Sequence, residues 1–146
     1  ALDAAQANMG RNQADANVAA CQHKVIVADA FDGLADLRIS RGARFDVVIV
    51  DPPSFAKSAD EIDRALAAYA RLTPLALDVL APGGVLVSAS CSSRVTADAF
   101  FNVVGRAAEQ HGQPLHVIEH TGHALDHPVG FPEGAYLKCL YARAPE

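Results

Sequence analysis

Three residues with side chains that can take part in chemistry follow runs of β-branched residues. Asp29 ends the segment KVIVAD, Asp51 ends FDVVIVD and Cys91 follows VLVSAS. Continuous apolar runs of this length predict buried strands. In open α/β sheets, ligands bind at the carboxyl ends of the strands. If the strands before Asp51 and Cys91 are neighbours, their backbones lie about 5 Å apart, and both side chains can address one substrate.

Two prolines directly after Asp51 restrict the backbone at this corner. Pro52 and Pro53 cannot donate to a strand ladder, and each disfavours helix at the residue before it, so we expect Asp51 to be held extended. The prolines leave carbonyl acceptors for a planar amine, and the ring of Phe55 offers a face for stacking. These features suit a nucleobase. A strand-to-loop connection with an incidental acid fits the same residues equally well.

Cys91 is the cysteine best placed to act as a nucleophile. It lies among serines just before a helix that we expect to be capped by Thr96, and the positive end of a helix favours a thiolate. Cys21 and Cys139 lack that setting, so we interpret them as structural. The alternative for Cys91 is a small buried apolar residue without chemistry.

Composition restricts the classes of protein that fit. The chain has 146 residues, 51% of them apolar, which suits one domain with a single core. No run reaches the roughly 18 residues of a membrane helix, and three cysteines without a CxxC pair indicate neither a disulfide framework nor a zinc site. The histidines lack metal-ligand spacing. The net charge of −5 argues against a broad electrostatic grip on nucleic acid. We therefore expect a soluble, cytoplasmic protein without a metal.

Strands and helices alternate along the chain. Strands are predicted at 24–28, 45–50, 85–90, 115–119 and 136–142, and helices at 2–20 with a break at Gly10, 31–37, 60–80 and 96–110. Pro74 should kink or divide the third helix, and residues 81–84 should form a turn. The loop before the last strand has no room for a long helix, so that strand should run antiparallel. The pattern predicts an α/β fold with a doubly wound, mostly parallel sheet.

Three motifs carry a resemblance to a known family. DPPSFAKS, SCSSRVT and HPVGFPEGAYLK together resemble the carboxyl-terminal part of a class I S-adenosylmethionine-dependent methyltransferase with a Rossmann-like sheet. The greatest similarity is to bacterial large-subunit ribosomal RNA 5-methylcytosine methyltransferases that carry a PUA domain, and it covers nearly all of residues 1–146. The resemblance implies S-adenosyl-L-methionine as cofactor and RNA as substrate. Because DPP occurs in many methyltransferases, a guanine or amine methyltransferase and a non-catalytic α/β module stay open as alternatives.

The resemblance also implies roles for individual residues. Asp29 and Ala30 would lie near the adenine of the cofactor, Asp51 would hold the target base beside the cofactor, and Cys91 would be the nucleophile. The implied substrate-binding residues are Pro52, Pro53 and Phe55. Methylation of carbon 5 needs a cysteine such as Cys91, because carbon 5 of cytosine is a poor nucleophile until a thiolate adds at carbon 6. The base must be flipped or single-stranded to reach the thiol.

The chain departs from that family in one respect. It contains no Gly-x-Gly turn after a strand, so we expect the first two strands of the sheet to lie upstream of Ala1 and the chain alone to bind cofactor weakly. The strand at 45–50 would then have an unpaired edge, which predicts a homodimer through strand pairing. Lys57, Arg94 and Lys138 are interpreted as surface charges or phosphate contacts.

Overall fold

The computed structural model describes residues 2–42, 44–131 and 134–146. It divides into one compact unit that ends at Gly33 and a second, larger unit from Leu34 to Glu146. The first unit contains helix α1, Leu2–Arg11, helix α2, Ala16–Ala20, and the start of helix α3, Ala30–Arg41. Gly10 lies inside α1, so the predicted break falls instead between the two helices, where the Asp15 carboxylate accepts from the N–H of Asn17 at 2.8 Å.

The predicted strand at 24–28 is wrong. Residues 21–27 carry no strand assignment, and the side chains of Ile26 and Val27 are 45% and 85% exposed. β-Branched residues favour a strand only when a neighbouring strand satisfies their backbone groups. The described sheet offers this segment no such neighbour, because its strand order contains only elements that follow residue 44.

A four-stranded mixed sheet forms the centre of the second unit. Its strands are β1, Phe45–Val50, β2, Leu80–Ser90, β3, His116–Thr121, and β4, Lys138–Arg143, in the order β1-β2-β4-β3. Strand β1 pairs parallel with β2, and β4 runs antiparallel to both of its neighbours, so three of the four described strands share one direction. The α/β fold, the antiparallel last strand and the pairing of the strands before Asp51 and Cys91 are thus confirmed.

Two helices pack against one face of this sheet. Helix α4, Ile62–Asp78, follows a short 3₁₀ turn, Ala59–Glu61, and helix α5, Ala97–Gln110, follows β2. Pro74 does not divide α4 as predicted. Buried residues continue on both sides of it, from Tyr69 to Leu77, and packing of this face outweighs the hydrogen bond that proline cannot make. The predicted cap of α5 is confirmed, because the Thr96 hydroxyl accepts from the N–H of Ala99 at 3.2 Å.

The predicted turn at 81–84 is instead the irregular first part of β2. The register between β1 and β2 shifts after the Phe45–Leu80 pair, and Gly83 has a positive φ of 68°. A Cβ at Gly84 would lie 2.8 Å from the carbonyl oxygen of Ala81, so this position requires glycine. The end of the chain holds the segment in place, since the N–H of Gly83 donates to the Pro145 carbonyl at 2.8 Å.

Strand β1 is the edge of the described sheet and is covered on one face. Val48 is 8% exposed and packs in the same cluster as Leu77 of α4, whereas Val47 and Ile49 are 53% and 68% exposed. The sequence predicts a buried strand here, and for the described residues this prediction is wrong on one of the two faces. Side chains alternate along a strand, and helices α4 and α5 lie on the Val48 side only.

Within the described ranges, no helix is both long and apolar enough to cross a membrane.

Candidate active site

Asp51 and Cys91 follow neighbouring parallel strands at the same edge of the sheet. The last pair of the β1-β2 ladder joins Val50 to Ser88, so Asp51 comes level with Ala89 and Cys91 lies two residues further on. In β2, Leu86, Ser88 and Ser90 are buried on the helix side, and Cys91 continues the alternate side. Asp51 belongs to the same side as Ile49. The carboxylate and the thiol are thus presented on the face that α4 and α5 leave uncovered.

Serine hydroxyls join the loop after Asp51 to the loop that carries Cys91. The hydroxyl of Ser92 donates to the carbonyl of Ala56 at 3.0 Å, and the hydroxyl of Ser54 lies 3.2 Å from that of Ser92. Ser92 is fully buried. A buried hydroxyl with both partners in place fixes the separation of two loops more firmly than an exposed contact would. These hydrogen bonds therefore link the loop after Asp51 to the loop after Cys91.

Tyr69 of α4 supports this corner from the helix side. Its hydroxyl donates to the hydroxyl of Ser90 at 2.8 Å, and Ser90 in turn accepts from the N–H of Ser92 at 3.3 Å. Burial raises the pKa of Tyr69, and the nearby charges of Cys91 and Asp51 raise it further. The phenol therefore stays protonated and remains a hydrogen-bond donor across the physiological range.

Phe55 occupies a different environment from the one its sequence suggested. Its ring centroid lies 5.1 Å from that of Tyr69 at an angle of 59°, and the side chain is half-buried. The ring therefore takes part in the core as well as facing an open cavity of 390 Å³ beside the loop. The charged side chains lining that cavity are Lys57, Glu61 and Arg64. Stacking of Phe55 on a base stays a prediction.

The carboxylate of Glu61 organises the rim of this cavity. It accepts from the N–H of Lys57 at 2.8 Å and pairs with the guanidinium of Arg64 at 2.6 Å. The hydrogen bond from Lys57 is the largest cause that lowers the pKa of Glu61. Since this carboxyl is ionised in the folded protein, it fixes the loop after Phe55 at neutral pH.

Lys138 is not the surface charge that the sequence suggested. Its side chain is only 4% exposed, and its ammonium donates to the carbonyls of Ser92 at 2.5 Å, Val95 at 2.6 Å and Tyr136 at 3.1 Å. The sequence contained one signal of this burial. Lys138 and Leu140 are two residues apart in the last strand, so they lie on the same face, and that face is buried. Lysine is seldom fully buried, so its residue type alone predicts a surface charge at this position.

Cys139 is a second thiol that sequence reasoning did not connect to the site. It pairs with Ala89 of β2, which is level with Asp51. Burial raises the pKa of Cys139, and the charge of Asp51 raises it further. Only the insertion of β4 next to β2 brings this thiol to the site, and the sequence does not reveal that strand order.

Asp29 caps helix α3 in the first unit. Its Oδ1 accepts from the N–H of Phe31 at 2.9 Å, and its carbonyl accepts from the N–H of Gly33 at 2.8 Å. The helix-cap interpretation is thereby confirmed, and the side chain remains exposed. Contact of Asp29 or Ala30 with a cofactor stays a prediction. Pro132 and Glu133, in the loop that precedes the last strand, lie outside the described residues.

Comparison with known proteins gives relatives along the whole chain. No protein-family model matches. The chain is 39% identical over 145 residues to the ribosomal RNA large subunit methyltransferase I of Salmonella arizonae, which covers 98% of this chain. A relative of the same name from Aeromonas salmonicida is also 39% identical, over 147 residues. The chain spans about a third of the length of these curated relatives, 35% and 36%.

Solved structures share the arrangement of the sheet. The structure of SMU.776, which is described as a methyltransferase and was solved with SAH, superposes with a TM-score of 0.69 at 22% identity, over 83% of this chain and 31% of that one. A methyltransferase homolog from Pyrococcus horikoshii gives 0.52 at 21% identity, over 76% and 43%. The chain therefore has the α/β fold of the class I S-adenosylmethionine-dependent methyltransferases.

Proposed function

We propose that the chain is the substrate side of an S-adenosylmethionine-dependent enzyme that methylates carbon 5 of cytosine in RNA, with ribosomal RNA as the substrate. The observation that carries the proposal is that Asp51 and Cys91 directly follow the ends of two neighbouring parallel strands. The names of the relatives support a ribosomal RNA substrate. We propose a cytoplasmic location together with that substrate. A guanine or amine methyltransferase would need no thiol at this place.

The thiol would start the reaction. The Cys91 thiolate adds to carbon 6 of the cytosine, and the electron pair of the ring then makes carbon 5 nucleophilic. Asp51 accepts a hydrogen bond from the amine edge of the ring and so holds the base beside the thiol. After carbon 5 is methylated, its proton leaves to a base and the bond from carbon 6 to sulfur breaks, which regenerates the thiolate. The carbonyls of Pro52 and Pro53 complete the acceptors for the amine.

The cofactor would be bound only in part by this chain. S-adenosyl-L-methionine supplies the methyl group when it is bound. Asp29 fits the adenine side, because its exposed carboxylate is oriented by the N–H of Phe31 at the start of α3, with Ala30 beside it. The carboxylate accepts hydrogen bonds from an amine or a hydroxyl. We assign only this side to the chain, because its sequence holds no Gly-x-Gly turn.

A covalent trap tests this mechanism. Large-subunit ribosomal RNA transcribed with 5-fluorocytidine is incubated with the cofactor and a full-length protein that carries this chain. We expect a protein–RNA adduct that survives denaturing electrophoresis, because fluorine at carbon 5 cannot leave as a proton. Digestion and mass spectrometry should place the linkage on Cys91.

The control for the trap is unmodified RNA, which should turn over and leave no adduct. Transfer of tritiated methyl groups to adenine, guanine or an amine, with no adduct on the fluorinated RNA, would replace this proposal by the amine or guanine alternative. A protein that neither forms the adduct nor transfers methyl groups, although it folds and binds the RNA, would support the non-catalytic module.

The exposed edge of β1 leads to a separate prediction about assembly. Val47 and Ile49 are exposed on an edge strand, and unpaired edges of β-branched residues invite pairing with another chain. We propose that the 146-residue chain forms a homodimer by strand pairing at β1. Light scattering should show the average mass doubling with concentration, and Val47→Lys should restore the monomer. A constant monomer mass over a hundredfold range of concentration would contradict the prediction.

A further inference from the structure

The buried ammonium of Lys138 contacts both ends of the loop after Cys91. It donates to the Ser92 carbonyl, one residue after the thiol, and to the Val95 carbonyl, one residue before the cap of α5. Its third acceptor is the Tyr136 carbonyl, which precedes β4. In the ladder, Lys138 itself pairs with Ser90. The side chain of Lys138 thus joins β4 to both ends of the loop that runs from Ser92 to Val95.

A buried cation normally needs a negative partner. Among the described residues, no carboxylate forms an ion pair with Lys138. The ammonium donates to the carbonyl of the residue that follows Cys91. Burial lowers the pKa of Lys138, and the nearby Cys91 raises it. Three carbonyl dipoles solvate the ammonium, and the thiolate form of Cys91 would supply the missing charge.

We infer that Lys138 is a positioning residue for Cys91: its ammonium fixes the carbonyls of Ser92 and Val95 and provides the positive charge that stabilises the thiolate. Lys138 is buried on the helix side of the sheet, and Cys91 is half-buried. The inference rests on the proposed function for what the thiolate attacks, whereas the coupling of lysine to thiol does not depend on it.

Other titratable groups also face this corner. Asp51 is an acidic residue, so its charge has the same sign as that of a thiolate. Tyr69 approaches from α4 and Cys139 from β4, and burial raises the pKa of both, so both favour their neutral forms. Lys138 is therefore the cation that favours the thiolate against Asp51 among these neighbours.

The test measures the rate at which iodoacetamide alkylates Cys91 as a function of pH. The peptide that contains Cys91 is quantified by mass spectrometry. In Lys138→Met, which keeps the length of the side chain without its charge, we expect alkylation near pH 7 to slow about tenfold and the midpoint of the profile to move about one unit higher. Lys138→Arg keeps the charge and should restore most of the midpoint. Lys24→Met, an exposed lysine of the first unit, is the matched control and should leave the profile unchanged.

A purely structural lysine gives a different result. Lys138→Met would then lower the stability of the protein but leave the midpoint for Cys91 where it is, and this outcome overturns the inference. Circular dichroism checks that each variant folds. If Lys138→Met does not fold, the inference is tested from the other side of the pair, by changing Cys91 and measuring Lys138. The Nζ titration of Lys138 is followed by NMR in the parent and in Cys91→Ser, and its pKa should fall when the thiolate is removed. An unchanged titration overturns the inference.

These outcomes are separable from those of the proposed function. Alkylation needs neither RNA nor cofactor, so a shifted midpoint supports the role of Lys138 even when no adduct forms on 5-fluorocytosine. Conversely, an adduct on Cys91 together with an unshifted midpoint keeps the methyltransferase mechanism and rejects the role of Lys138.

Discussion

Cys91→Ala is expected to lower methyl transfer to RNA by on the order of a thousandfold or more, because the variant cannot add to carbon 6 and carbon 5 stays unreactive. The rate is measured with tritiated S-adenosyl-L-methionine under single-turnover conditions in a full-length protein that carries this chain. Binding of RNA, measured by filter retention, should change little. The substitution removes one sulfur atom at a half-buried position, so the fold should persist.

The control is Cys21→Ala, which removes an exposed thiol of the first unit and should transfer methyl groups at the parent rate. Two residues of the same type are thereby compared in one protein. A Cys91→Ala variant that methylates within a few-fold of the parent rate would sink the thiol mechanism, whatever the behaviour of Cys21→Ala.

Phe100→Ala is expected to lower the free energy of unfolding by about 3–5 kcal/mol, the usual cost of removing a fully buried aromatic ring. Phe100 is fully buried in α5, and its ring meets that of Tyr69 edge to face at 4.9 Å. Such ring pairs add to the cost of burial alone. The measurement is urea denaturation followed by circular dichroism.

Phe131→Ala provides the matched control, because that ring is 63% exposed. Substitution of an exposed residue typically changes stability by about 0.5 kcal/mol or less. Since Phe100 supports Tyr69, which supports the serines beside Cys91, its loss should also raise the alkylation rate of that thiol when the loop loosens. A loss of stability below about 1 kcal/mol for Phe100→Ala would show that the core rearranges to fill the cavity.

The strand ends could be predicted from sequence because their signals are local. A β-branched run that is followed by Asp51 and two prolines strongly favours a strand that ends at the acid. The helix cap at Thr96 depends only on the next three residues, since its side chain accepts from the N–H of Ala99. The segment at 24–28 has the same composition but no strand beside it. Strand propensity alone therefore does not decide whether a ladder forms.

The environment of Lys138 depends on contacts that the sequence does not reveal. Its acceptors Ser92 and Val95 lie 46 and 43 residues away along the chain. The ammonium of Lys138 reaches these carbonyls only because β4 inserts between β2 and β3, and the sequence does not reveal that strand order. The same strand order brings Cys139 close to Asp51, so both departures from the sequence analysis have one physical cause. The continuous helix through Pro74 has a different one, which is burial of its apolar face.

The central position of β4 has a consequence for how the protein is made on the ribosome. Strand β4 leaves the exit tunnel after β2 and β3, fills the gap between them, and brings the ammonium of Lys138 to the loop of Cys91. Contacts this distant in sequence form late. A nascent chain that stops before Lys138 would contain the thiol but not the support that orders its loop. The loop of Cys91 is therefore held in its final form only after β4 has been made, and a product terminated before β4 would carry this cysteine in an unsupported loop.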